Sequence, residues 1–150
     1  MQLTLLIDAA SRPELFFWAG PIENKKLAFW LDQMQWIVPN DLKYLWRETG
    51  GGDFFESETI FYPFSSLYAY DQIADVNKYQ RSLGLPKNYL VFHSGIHLSV
   101  VETTSQKFLL IDATTYKSIR EFSSLEDWYL QGIRPEFENR YSLLPSQEKL

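Results

Sequence analysis

The segment "HSGIH" carries both histidines of the chain, His93 and His97, with Ser94 beside the first. On a helix, a four-residue spacing would set both imidazoles on one face and suggest zinc. The flanking residues read instead as a strand, a Ser-Gly turn and a second strand. That removes the helical meaning of the spacing, although two rings can still meet across a hairpin. The chain has no cysteine, and spacing specifies no third ligand, so neither a metal nor a cofactor is expected. Ser94 next to an imidazole suggests nucleophilic chemistry. A nucleophile elbow, however, needs a preceding glycine and a strand-to-helix turn, and this segment offers neither. A small hydrolase or metal enzyme built on His93, His97 and Ser94 is therefore an alternative reading, and the leading expectation is a protein without catalytic residues.

The run "TGGGDFFESE" spends three of the seven glycines at positions 50–52. A phosphate loop would follow its last glycine with Lys and Ser or Thr. Here Asp53 follows, and its charge would repel phosphate. The plainer expectation is a helix stop at Gly50 and a tight reversal into a strand. Among the acids nearby, Glu56 and Glu58 fall on the same side of a strand. Glycosidic chemistry would need a second carboxylate across a cleft, about 5–10 Å away, and the sequence does not place one. Both acids are expected to be solvated, on an edge strand guarded by charge. Asp53, Glu56 and Glu58, with an exposed Phe54 as aromatic anchor, form the candidate partner-binding patch.

The elements that must position these groups follow from periodicity. Residues 1–20 are ambiguous: Leu3, Leu5 and Ile7 alternate like a strand, while Leu6 and Ala10 also suit a helix. Leu27, Trp30, Leu31 and Met34 make one helical face over 23–35. A second helix starts at Pro39 or Asn40, buries Leu42, Leu45, Trp46 and Thr49, and ends at Gly50. "FESETIFYPF" then alternates as one strand, with Glu56, Glu58, Ile60 and Tyr62 on one side. Asp71 caps a helix carrying Ile73, Val76, Tyr79 and Leu83, stopped by Gly84 and Pro86. "NYLVFH", "IHLSVVE", "KFLLID" and "YKSIREF" read as an antiparallel meander. Ser124 caps a last helix with Leu125, Trp128 and Tyr129 on its apolar face and Gly132 as its stop. From Arg134 onward a tail is expected, with Phe137, Tyr141 and Leu144 resting on the body.

This order predicts an α+β fold, a twisted and mostly antiparallel sheet of about five to six strands packed against helices. At 150 residues, one domain is expected over 1–150, with its core at about 23–131 and a tail over 132–150. Aromatic residues reach 17%, so much of the core must be ring packing. The formal charge of -5 disfavours nucleic acid, whose phosphates demand clustered Lys and Arg. The apolar N-terminus "MQLTLLIDAASRP" lacks a basic segment and is interrupted by Asp8, so no signal peptide is read there. No run reaches the roughly 18 apolar residues of a membrane span. These features together predict a cytoplasmic protein.

"VPNDLKYLWRETGGGDFF", with Pro39, Leu42, Leu45, Trp46 and Gly50 to Gly52, resembles the signature of the SUKH superfamily. The helix with Trp30 and Leu31, the hairpins of "YLVFHSGIHLSVVETTSQKFLLID" ending at Ile111-Asp112, and the closing "SSLEDWYLQ" resemble its remaining segments. The resemblance covers about residues 23–131. It implies an α+β fold of helices on a twisted sheet and a family with no shared catalytic residues. Many bacterial members are immunity proteins that bind and block a toxin, and a yeast member is a regulatory hub in cell-wall assembly. The partner that the resemblance implies is therefore a protein, for an immunity protein a toxin domain such as a nuclease, whose basic channel would attract acidic side chains. A cytoplasmic regulatory adaptor is the alternative.

Overall fold

A computed structural model describes residues 1–64 and 72–145. Among the described residues the architecture is α+β, and the sheet has seven strands rather than five or six. They are β1 (Phe16–Trp18), β2 (Gly52–Phe54), β3 (Glu58–Ile60), β4 (Tyr89–Ser94), β5 (Leu98–Glu102), β6 (Lys107–Ile111) and β7 (Ser118–Phe122). Each strand pairs antiparallel with its neighbour in sequence, so the spatial order is β1 to β7. The helices are α1 (Thr4–Ser11), α2 (Asn24–Met34), α3 (Asn40–Thr49), α4 (Ile73–Ser82), a short α5 (Leu125–Asp127) and α6 (Pro135–Glu138). None of them is long and apolar enough to cross a membrane.

The ambiguous N-terminus is helical first and extended after. α1 buries Leu5 and Asp8, and β1 then takes the edge of the sheet. α3 follows its expected course. It buries Leu42, Leu45, Trp46 and Thr49 and ends at Gly50, whose φ of 73° is left-handed. Asp41 accepts from its neighbour's amide, Leu42 N, at 3.0 Å and from Leu125 N at 2.8 Å, which ties the start of α3 to the start of α5. Ser124 caps α5 as expected, accepting from Asp127 N at 3.1 Å.

Three readings change. The single strand expected after the glycines is a hairpin: Phe54 pairs with Glu58, and the chain reverses through Phe55 and Glu56, at φ 50° and 66°. These are the signs of a tight hairpin turn built without glycine or asparagine. The expected cap Asp71 lies outside the described residues. α4 buries Ile73 and Asn77, whereas Tyr79 and Leu83 of the expected face are exposed. Gly132 does not stop the last helix. The chain passes through it in a wider π-helical turn, Trp128–Ile133, and continues into α6. Residues beyond it are packed: Ile133, Arg134 and Phe137 are buried, and Tyr141 donates to the Phe55 carbonyl at 3.2 Å.

Asn77 explains the changed face of α4. Its amide donates to the Ile73 and Val91 carbonyls at 2.8 and 2.9 Å and accepts from Val91 N at 2.7 Å. It thus serves a backbone peptide of β4 that β3 is too short to reach. Buried peptide groups must be paired, so Asn77→Ala leaves a donor and an acceptor orphaned. The expected loss is about 3 kcal/mol, read as a lower urea midpoint with unchanged m. A loss below ~1 kcal/mol would contradict this role.

Candidate functional site

Two places gather functional side chains. The first is inside. β4 bulges at Phe92: Val91 pairs with Val100 and His93 with Ser99, leaving Phe92 as the extra residue. A bulge turns consecutive side chains to one side, and both rings accordingly pack 5.1 Å from Trp128. His93 Nδ1 lies 2.8 Å from Ser99 Oγ, and Nε2 lies 2.9 Å from Glu58 Oε1. The Trp128 indole donates to Ser99 Oγ at 2.8 Å, and Ser57 Oγ donates to Glu58 Oε2 at 2.8 Å. An indole can only donate. Ser99 Oγ therefore accepts from the indole, while its hydroxyl pairs with His93 Nδ1 and the other ring nitrogen, Nε2, pairs with the Glu58 carboxylate. The chain of donors closes with every group used.

Ser99, His93 and Glu58 are the residue types of a hydrolytic triad, but their solvent exposures are 0%, 1% and 3%. A nucleophile must meet its substrate. Here Ser99 Oγ is held between an indole and an imidazole. The adjoining cavity is about 60 Å³, lined by Glu58, His93, His97, Leu110 and Glu136 among others, with room for only a water or two. The arrangement orients the core. The structure brings His93 and His97 to this cavity, across the hairpin. Ser94 is on the opposite side of β4, since successive strand residues alternate. Among the described residues, no group of three or more metal-ligating side chains converges.

Glu58 was expected at a solvated edge, yet β3 lies between β2 and β4. The acid belongs to His93, a partner 35 residues along the chain. Phe54, the expected anchor, is also fully buried, stacked 5.9 Å from Phe16. The hairpin puts Phe54 and Glu58 on the same inner face, so neither is surface.

The second place is the outer face of the same strands. Phe17 pairs with Asp53, Asp53 with Thr59, and Thr59 with Ser94, so these four form one row across β1 to β4. Directly paired residues of an antiparallel sheet share a face. Phe17 is 66% exposed. Asp53 is half-buried and accepts from Thr59 Oγ1 at 2.8 Å. Glu56 stands exposed at the hairpin tip, accepting from Tyr141 Oη at 2.9 Å with Arg140 Nη2 3.9 Å away. Burial and the Glu56 contact raise the Tyr141 phenol above its ordinary pKa. Two of the four expected contact residues, Asp53 and Glu56, are therefore on the surface, and the exposed aromatic ring of this face is Phe17, not Phe54. The alternation of "FFW" at 16–18 carries the signal for Phe17, once β1 is known to be an edge strand.

A scan against protein-family models returns no match, and a search of curated proteins returns none either.

Proposed function

We propose that this chain acts by binding another protein through the outer row Phe17, Asp53, Thr59 and Ser94, with Glu56 at its margin. The supporting observation is the exposed Phe17, an aromatic ring beside a carboxylate on a sheet whose other face is closely packed. Rigid aromatic residues flanked by polar groups are the usual anchors of protein interfaces, and a stiff support lowers the entropy lost on binding. The burial of Ser99, His93 and Glu58 agrees with a binding role rather than a hydrolytic one. The SUKH-like segments suggest the partner: a toxin domain that the chain neutralises as an immunity protein. If that toxin is a nuclease, Asp53 and Glu56 would enter its basic substrate channel, and added salt should slow association.

The test is co-expression with toxins encoded next to this gene, followed by calorimetry on any complex formed. Phe17→Ala is expected to weaken the complex about thirtyfold, and Asp53→Lys to lower the association rate. Absence of rescue and of binding with every neighbouring toxin would reject the immunity reading. Binding that is indifferent to both substitutions would reject this surface.

A further inference from the structure

A groove of about 520 Å³ runs between α2 and α3, away from the outer row. Its floor includes Leu27, Ala28, Leu31 and Trp36, and its walls carry Asn24 and Asp32 from α2 and Lys43 and Arg47 from α3. That volume falls within the range of about 300–1,000 Å³ typical of small-ligand pockets, which are mostly apolar with a few placed polar groups.

The polar groups are unevenly satisfied. Lys43 and Arg47 stand four residues apart on α3, the spacing that puts two side chains on one helical face. Among the described residues, neither takes part in an ion pair. Arg47 Nε is buried with no hydrogen-bond partner. Its Nη1 reaches Asn24 Oδ1 at 3.5 Å, the limit of hydrogen bonding, and the guanidinium lies 5.6 Å from the Tyr44 ring centroid. A half-buried guanidinium held only by a stretched amide contact and a ring is a guanidinium missing an anion. The acid that does face the groove, Asp32, lies eight residues from Asn24 on α2, about 12 Å along the helix. The groove therefore has Asn24 and Arg47 at one end, Lys43 one turn along α3 above the apolar floor, and Asp32 on the far rim, with Met1 also in its lining.

The geometry points to a binding site for a small organic carboxylate with an apolar body. Its head would sit on Arg47, Lys43 and the Asn24 amide, and its hydrocarbon would lie over Leu27 and Leu31 toward Trp36. Asp32 at the far rim opposes a second negative charge at the other end of the ligand, so the class is monocarboxylates rather than dicarboxylates.

The probe is sodium octanoate, titrated below its micellar range and followed by calorimetry and tryptophan fluorescence. 1-Octanol serves as the uncharged control and octanedioate as the doubly charged one. Saturable octanoate binding is expected, with both controls at least about tenfold weaker, because a charge-assisted pair to Arg47 is lost or a second charge meets Asp32. Arg47→Gln with Lys43→Gln should cost about tenfold or more in octanoate affinity. Ala28→Trp fills the groove and should abolish binding with both cations intact. Circular dichroism is to confirm that each variant is folded. No saturation with octanoate, equal affinity for octanol, or indifference to both the charge and the filling substitutions would overturn the assignment. The result is independent of the outer row, because none of these changes touches Phe17 or Asp53.

Discussion

Replacing Arg134 with methionine is expected to destabilise the protein by about 3–5 kcal/mol. Arg134 is 1% exposed and holds both oxygens of the equally hidden Asp8: Nε lies 2.8 Å from Oδ2, and Nη2 lies 3.1 Å from Oδ1. Nη2 also donates to the Leu144 carbonyl, and Nη1 to Glu138 at 3.2 Å. Without the guanidinium, Asp8 keeps only the Tyr129 hydroxyl, at 2.5 Å. A lone carboxylate inside the protein must then be carried uncompensated or protonated. The double variant Asp8→Leu with Arg134→Met removes both charges and should recover much of the loss. Urea denaturation of the three proteins decides the matter. A single variant within ~1 kcal/mol of the parent, or a double variant no better than the single, would show that the pair is not the anchor.

Tyr129 makes the same cluster visible in alkali. Burial, and then the Asp8 charge and hydrogen bond, raise its phenol pKa far above the ordinary value. A raised native pKa contributes stability that is complete below the unfolded pKa, near 10, and is lost as pH climbs past it. The unfolded chain then releases a proton that the folded one keeps. Stability should fall by about 1.4 kcal/mol per pH unit above ~10 from this group alone. Tyr129→Phe should remove that share of the slope. Identical slopes for parent and variant between pH 9 and 11 would contradict the buried, neutral phenol.

Gly52→Ala is expected to cost about 3 kcal/mol or more. An added Cβ would stand 2.1 Å from the Phe17 carbonyl oxygen and 2.9 Å from Trp18 Cα, both backbone, at a φ of 154° that other residues rarely adopt. Neither contact is with a side chain that could swing aside, so β1 must separate from β2. Because β1 carries Phe17, the change should also weaken partner binding beyond what Phe17→Ala explains. A thermal midpoint unchanged within ~2 °C would mean that the two strands tolerate a wider gap than this packing implies.

These glycines show how far the sequence alone reaches. A stop at Gly50 was legible because a helical face of Leu42, Leu45 and Trp46 ran up to it. The four strands from Tyr89 to Phe122 were legible from β-branched and aromatic runs between polar turns. The reversal at Phe55 and Glu56 was not, since neither residue is a usual carrier of positive φ, and alternation alone continues smoothly through both. From that miss followed the misplacing of Phe54 and Glu58. An acid in a strand signals solvent unless a distant partner pulls it inward, and no local pattern links Glu58 to His93. Asn77 and Asp8 escaped for the same reason: each is polar by composition and buried by virtue of a partner that only the tertiary fold supplies. Of the surface reading, Asp53 and Glu56 keep their place outside the core, the first on the outer face of β2 and the second in the turn itself.

The strictly sequential order of the sheet has a consequence for how the molecule is made. Every strand can join its predecessor once it has left the ribosome, so the sheet can grow from the N-terminal side, by short closures from β2 to β3 and from β4 to β7 and by longer ones, across helices, from β1 to β2 and from β3 to β4. The first helix is the exception. Its buried acid waits for a cation 126 positions later. During synthesis α1 thus leaves the ribosome before all seven strands and is among the last elements to be seated, and a nascent chain halted before residue 134 should expose it to proteases while the strands already resist them.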